Sequence, residues 1–124
     1  MTTLAHRFAS GVEGIPFTVP SANPESYQAV LRDGLGCLDH SPVALQGLLF
    51  PQAKPAPLVL VVPGSVGVAK SHRAHAETLH GAGYATAVLD PFGGRAVAST
   101  VANQTQYTFA ASAFDVCRAA ALLA

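Results

Sequence analysis

Three apolar runs after residue 42 predict β-strands. Residues 43–50 and 57–62 are each bounded by prolines, and residues 84–89 end at an Asp-Pro pair. The run 57–62 is apolar at every position, which is typical of a central strand that is buried on both faces. These three segments therefore predict the core of a sheet.

Two helices are predicted among and after these strands. Residues 69–82 have a helical pattern that ends at glycine, and a last helix is predicted from about residue 105 to the end. The order strand, helix, strand, loop, helix favours a parallel sheet with right-handed crossovers.

The last helix carries a polar stripe at helical spacing, formed by Thr108, Ser112, Asp115 and Arg118. Asp115 and Arg118 are expected to form an exposed ion pair of little energetic value. The outward side becomes apolar at Ala119 and Leu122, and no glycine or basic cap follows. We therefore expect the chain to be the front portion of a larger fold.

The first part of the chain is expected to be different in character. Glycine and proline recur throughout residues 1–42, which predicts an irregular N-terminal segment with one short helix at 24–31. Residues 43–124 are expected to form a partial α/β domain.

Composition narrows the class of protein. Half of the 124 residues are hydrophobic (50%), 11% are charged and the formal net charge is +0, which predicts a folded globular segment. The charge pattern favours neither a nucleic-acid partner nor a membrane surface. The N-terminus lacks the apolar region of a signal peptide, so the chain is expected in the cytoplasm. Cys37 and Cys117 are expected there as reduced core residues.

The junction after the central strand, Pro63-Gly-Ser-Val-Gly-Val68, is the main candidate site. Gly64–Ser71 matches a phosphate loop except that Ala69 stands where glycine is required before Lys70, so a nucleotide-binding module is one alternative. A dinucleotide site is weaker, because its second glycine would be Val66.

A nucleophile elbow is a second alternative. Pro63–Gly67 reads as Gly-x-Ser-x-Gly with proline at the first glycine, and Asp90 would supply the acid. No histidine follows His80, so the base is missing in that order. A third alternative is an oxyanion loop, in which the backbone amide after Gly64 stabilises a tetrahedral oxyanion.

The chain resembles α/β-hydrolases of the dienelactone hydrolase type over residues 43–124. The resemblance lies in the segments 45–51, 56–67, 72–79, 83–95 and 103–106, of which Gly-Tyr…Leu-Asp…Phe-Gly-x-Arg is the most specific. It implies the N-terminal portion of a larger α/β sheet with mostly parallel strands and crossover helices. It also implies hydrolysis of a small-molecule ester or lactone through an acyl-enzyme.

In such an enzyme the nucleophile, Cys or Ser, lies on the strand after the last helix, and the acid and histidine follow later. This chain would then be inactive alone, and would self-associate or be complemented by a missing C-terminal segment. The resemblance assigns the Ser65 backbone amide to the oxyanion hole and implies no metal or organic cofactor. A non-catalytic fragment that needs a partner segment remains a further alternative.

Several other residues carry weaker expectations. Asp90 is expected to hold the turn that follows it, and Arg95 either binds an anionic substrate or pairs with Asp90. The histidines at 72, 75 and 80 are expected to be surface or packing residues. Phe109 and Phe114 are also expected to be packing residues.

Overall fold

The computed structural model describes residues 7–123. Within that range the chain forms four strands, three α-helices and one short 3₁₀ helix. The strands are β1 (Ile15–Ser21), β2 (Val43–Phe50), β3 (Leu58–Val61) and β4 (Ala85–Asp90). The helices are α1 (Tyr27–Asp33), α2 (Lys70–Gly81), α3 (Phe109–Leu123) and the 3₁₀ helix Gly93–Arg95. No helix in the described range is long and apolar enough to cross a membrane.

The four strands form one mixed sheet in the order β1-β2-β4-β3. The β1–β2 and β2–β4 pairs are antiparallel, and only β3 and β4 run parallel. The predicted hydrolase-type sheet with mostly parallel strands is therefore wrong for the chain described. The physical reason is the linker Pro51–Pro57, which is too short for the crossover of about a dozen residues that parallel strands need. β3 consequently reverses the direction of β2, and α2 provides the one crossover between paired strands.

The local predictions were more successful than the topology. β2 coincides with the predicted 43–50, and β3, β4 and α2 lie within one residue or so of their predicted segments. β1 was missed, because Pro16 and Pro20 argue against a strand. β1 pairs only with β2 among the described strands, and prolines are tolerated on such an edge.

α3 begins later than predicted because Thr108 caps it. The Thr108 hydroxyl accepts a hydrogen bond from the Ala111 N–H at 3.0 Å, and the Thr108 carbonyl accepts one from Ser112 at 3.2 Å. A threonine at this position satisfies amides that have no partner inside the helix. The helix therefore starts at Phe109.

The core has two parts, one on each face of the sheet. One part joins Phe8 to side chains of β2, β4 and α2. The other part joins Val19 of β1 to Leu45, Leu89 and Ala119. Successive side chains of a strand point to opposite faces of the sheet, so the neighbouring residues Val88 and Leu89 belong to different parts of the core. Ala119 is thus fully buried, contrary to its predicted outward position.

Replacing Gly94 by alanine is expected to lower the free energy of unfolding by about 2–3 kcal/mol, as overpacking does. A Cβ at this position would lie 2.0 Å from the carbonyl oxygen of Ala44 in β2, which is backbone and cannot rotate away. Urea unfolding measures the effect. The matched control is Gly36→Ala, where a Cβ meets nothing within 4 Å. Equal stabilities of the two variants would contradict the close approach.

Candidate functional site

The turn Gly64–Gly67 lies at the carboxyl end of β3, where the sequence places the candidate site. The Gly67 N–H donates to the Gly64 carbonyl at 3.1 Å, so Ser65 and Val66 are the two central residues of a β-turn. Gly67 has a φ of 78°, a left-handed conformation that glycine adopts without strain. The turn therefore depends on the glycine that the sequence supplies at its fourth position.

The carbonyl group of Ser65 is hydrogen-bonded, whereas its N–H has no acceptor in the described part of the chain. Its carbonyl accepts hydrogen bonds from the Thr100 N–H at 2.8 Å and from the Ser99 hydroxyl at 3.1 Å. The Ser65 N–H donates to no residue in the range 7–123. A rigidly held amide with a free N–H is the arrangement that stabilises a developing negative charge.

The turn forms one wall of an open cleft of about 180 Å³. The other walls are formed by the turn after β4, by the loop before α3 and by the start of α3. The residues that line the cleft are Pro63, Gly64, Ser65, Phe92, Thr100, Gln104, Tyr107, Phe109 and Ser112. Typical small-molecule pockets measure about 300–1,000 Å³. The cleft therefore suits a compact group rather than a large cofactor.

Sequence reasoning missed Tyr107, which lines this cleft. The Arg95 guanidinium lies 4.4 Å from the centre of the Tyr107 ring, within the range of a cation–π contact. Burial raises the pKa of the Tyr107 phenol. A tyrosine hydroxyl is in any case protonated at neutral pH and can donate a hydrogen bond. No motif surrounds Tyr107, so the sequence carried no signal for it.

The two phenylalanines near the start of α3 differ in environment. Phe109 is 72% exposed beside the cleft, so its predicted packing role is wrong. Phe114 is buried, as predicted.

Asp90 holds the turn after β4, as predicted. Its carboxylate oxygen Oδ1 accepts hydrogen bonds from the Phe92 N–H at 2.9 Å and from the Gly93 N–H at 3.2 Å. These bonds place the Phe92 ring at the cleft. In the described range no histidine contacts Ser65 or Asp90 by a hydrogen bond, so the elbow alternative lacks the base that nucleophilic catalysis needs.

All five N–H donors of Arg95 are used within the protein. Nη1 and Nη2 bind the two carboxylate oxygens of Asp115 at 2.7 and 2.8 Å, and Nε donates to Asn23 Oδ1 at 2.6 Å. The other two N–H groups donate to the carbonyls of Pro91 and Ala22. A substrate anion would have to displace one of these partners. The contacts give Arg95 a structural role, and its substrate role stays a prediction.

The polar stripe of α3 faces the segment 20–24 of the chain rather than solvent. The predicted exposed Asp115–Arg118 pair is wrong, because Asp115 is fully buried and pairs with Arg95. Three hydrogen bonds join the stripe to this segment. The Thr108 hydroxyl donates to the Pro24 carbonyl at 2.6 Å, and the Ser21 hydroxyl donates to the Asp115 carboxylate at 2.7 Å. The Arg118 guanidinium donates to the Pro20 carbonyl at 2.9 Å. The stripe therefore satisfies polar groups of the N-terminal segment and anchors that segment to α3.

The structure also shows the surroundings of Ala69 and Lys70, the two residues that decide the phosphate-loop alternative. Lys70 is exposed at the first position of α2. The Ala69 N–H, which would face a phosphate, donates instead to the His72 Nδ1 atom at 2.9 Å. One of the amides required for a phosphate cradle is therefore already occupied by a side chain of the protein.

The histidines at 72 and 80 have packing roles, as predicted. His72 caps α2, and His80 contacts the Pro51 carbonyl at 3.0 Å through Nε2 and packs edge-on against Phe8. His75 is exposed. Cys37 is half-buried and Cys117 is exposed, and both thiols are free, so the prediction that they are core residues is wrong.

No protein-family profile, curated protein or solved structure matches this chain. The resemblance to dienelactone hydrolases therefore rests on the sequence segments quoted above.

Proposed function

We propose that this chain forms the oxyanion-binding part of an ester or lactone hydrolase of the dienelactone hydrolase type that acts in the cytoplasm. One observation carries the proposal. The N–H of Ser65 has no acceptor among residues 7–123, lies in a turn held by two hydrogen bonds to the Ser65 carbonyl, and belongs to the wall of a compact cleft.

The proposed chemistry follows from where charge develops. When a nucleophile attacks the carbonyl carbon of an ester, the carbonyl oxygen becomes an oxyanion, and a fixed N–H donor stabilises it more than it stabilises the substrate. The neutral phenol of Tyr107 lines the same cleft and is proposed to orient the substrate by donating a hydrogen bond. No metal or organic cofactor enters this proposal.

The nucleophile is proposed to come from a further segment of the complete protein. In residues 7–123 no serine or cysteine is hydrogen-bonded to a histidine, which is the pair that acyl transfer needs. Among the described strands β3 pairs only with β4, and all four of its residues are apolar and half-buried. Unprotected apolar edges of this kind promote strand addition. We propose that the further segment, or a second copy of the chain, pairs with this edge beside Ser65.

Two alternatives have less support. A nucleotide-binding module would need the Ala69 amide that His72 already occupies. A non-catalytic fragment that needs a partner segment is compatible with the open edge of β3, but it leaves the free amide of Ser65 without a role.

An esterase assay tests the proposal. Residues 1–124 alone are expected to hydrolyse p-nitrophenyl acetate no faster than buffer, because the nucleophile and base are not in the described site. The chain together with the segment that is proposed to supply the nucleophile is expected to be active. Hydrolysis by the 124-residue chain that disappears in Ser65→Ala would make Ser65 a nucleophile and contradict the backbone role.

A calorimetric titration with ATP and Mg²⁺ serves as the control for the nucleotide alternative. No binding is expected. Micromolar binding that is lost in Lys70→Ala would favour the phosphate loop over the hydrolase.

A further inference from the structure

We propose that Asp33, Cys37 and His40 form a binding site for a divalent transition metal of the Zn²⁺ class. One donor atom from each side chain lies within 4.8 Å of the other two. The residues follow one another as Asp-x₃-Cys-x₂-His at the end of α1. The site is separate from the cleft and independent of the hydrolase proposal. This site was not predicted from the sequence.

The backbone between Asp33 and His40 folds back on itself, which brings the three side chains together. Gly34 ends α1 with a φ of 81°, and the Cys37 N–H donates to the Gly34 carbonyl at 3.3 Å. Ser41 also has a positive φ of 54°, so the chain turns sharply again just after His40. Two turns, one at each end, therefore close the loop around the donor atoms.

Neighbouring elements hold this loop in place. The Asn23 N–H donates to the His40 carbonyl at 2.6 Å, and the Asn23 side chain donates to the Ser41 carbonyl at 3.3 Å. On the other side of the loop, Arg118 of α3 donates to the Leu35 carbonyl at 3.2 Å. A loop that is fixed before the metal arrives loses less conformational entropy on binding.

The donor set selects the class of metal. Thiolate sulfur and imidazole nitrogen favour Zn²⁺ and related transition metals, whereas Mg²⁺ and Ca²⁺ prefer oxygen ligands alone. Three protein ligands would leave the fourth tetrahedral position for water. The Cys37 thiol has to release its proton to solvent on binding, because the thiolate is the ligand.

Metal binding requires the three donor atoms to readjust. His40 Nε2 and Asp33 Oδ2 are 2.7 Å apart. A tetrahedral metal about 2.0–2.2 Å from each atom would separate them by roughly 3.4 Å, so these two atoms have to move apart by less than about 1 Å. The Cys37 sulfur, which lies within 4.8 Å of both, has to come to roughly 3.6 Å from each of them.

One cation competes with the metal for Asp33. Arg32 donates to both Asp33 oxygens at 3.0 Å. An aspartate side chain is ordinarily ionised at neutral pH, so Asp33 can serve as an anionic ligand. Arg32 can keep Oδ1 while the metal takes Oδ2. The metal then meets the negative charges of one carboxylate and one thiolate, which match its own charge of two.

Cobalt binding to the full chain tests the proposal. The reduced protein, stripped of metal with a chelator, is titrated with Co²⁺, and a near-ultraviolet thiolate-to-cobalt absorption band is expected at one equivalent. Zn²⁺ should displace the cobalt and abolish the band, whereas Mg²⁺ and Ca²⁺ should not. No band at millimolar Co²⁺ would overturn the proposal.

Matched variants assign the ligands. Cys37→Ser should abolish the band, whereas Cys117→Ser, at the exposed cysteine of α3, should keep it. His40→Gln and Asp33→Asn should weaken the affinity at least roughly tenfold, a loss that is typical even for second-sphere residues. His75→Gln should bind like the wild type. A thermal melt of each metal-free variant checks folding.

Three outcomes would contradict the assignment. A band that survives Cys37→Ser places the thiolate elsewhere. A band that is lost in Cys117→Ser makes Cys117 a ligand. Unchanged affinity in both His40→Gln and Asp33→Asn reduces the site to a single thiolate.

Discussion

Asp115→Ala is expected to lower the free energy of unfolding by about 3–5 kcal/mol, as removal of one partner from a buried ion pair does. The side chains of Arg95 and Asp115 are 4% and 1% exposed, and two parallel hydrogen bonds join them. Without the carboxylate, the Arg95 guanidinium would remain buried with two unsatisfied N–H groups. The Ser21 hydroxyl would also lose its acceptor. Urea denaturation followed by circular dichroism measures the change.

Two controls separate this effect from a simple loss of charge. Glu13→Ala removes a partner from the exposed Arg7–Glu13 pair, and such pairs contribute only about 0–1 kcal/mol. The double variant Arg95→Met, Asp115→Leu is expected to be more stable than Asp115→Ala, because it leaves no buried charge. A cost below about 1 kcal/mol for Asp115→Ala would mean that the pair is solvated in solution.

In the proposed hydrolase, with the segment that is proposed to supply the nucleophile, Ser65→Pro is expected to reduce kcat by about 10²–10³-fold, as the loss of one oxyanion donor does. The substitution deletes the N–H and little else. Ser65 is the second residue of the Gly64–Gly67 turn, a position at which proline is favoured in type I and type II turns. The preceding residue is glycine, which tolerates a following proline. Steady-state kinetics with an activated ester measures the effect.

Ser65→Ala is the matched control, because it keeps the amide and removes only the hydroxyl. Its kcat is expected to stay close to that of the wild type. Equal and large losses in both variants would show that the side chain acts as nucleophile, and the backbone assignment would fail. Normal kcat in Ser65→Pro would remove Ser65 from the oxyanion site altogether.

Much of the local structure was predictable because it depends on neighbours in the sequence. Prolines and apolar runs marked β2 and β3, and glycine marked the end of α2. The turn-holding role of Asp90 was also predictable, because its carboxylate accepts from amides two and three residues ahead. β1 was missed because its prolines are acceptable only on an edge, and edge position is a property of the assembled sheet.

The candidate sites were predictable to a smaller degree. The turn that carries Ser65 follows from its glycines and from its place after an apolar strand. Tyr107 had no recognisable pattern around it, and it reaches the cleft only because the loop before α3 returns to the Gly64 turn. The cluster of Asp33, Cys37 and His40 had a visible spacing, but the spacing has no meaning until the loop folds back.

The sequence by itself determined where β2, β3, β4 and α2 lie and that a turn follows β3, because these depend on interactions over a few residues. Only the tertiary structure decided the strand order and the partners of the polar stripe on α3. Arg95 bonds to Asn23, 72 positions away, and Asp115 bonds to Ser21, 94 positions away. A helix whose polar stripe faces water and a helix whose polar stripe contacts a segment with unpaired carbonyls have the same pattern in the sequence. The N-terminal segment supplied those carbonyls here, and so the polar side of α3 became an interior one.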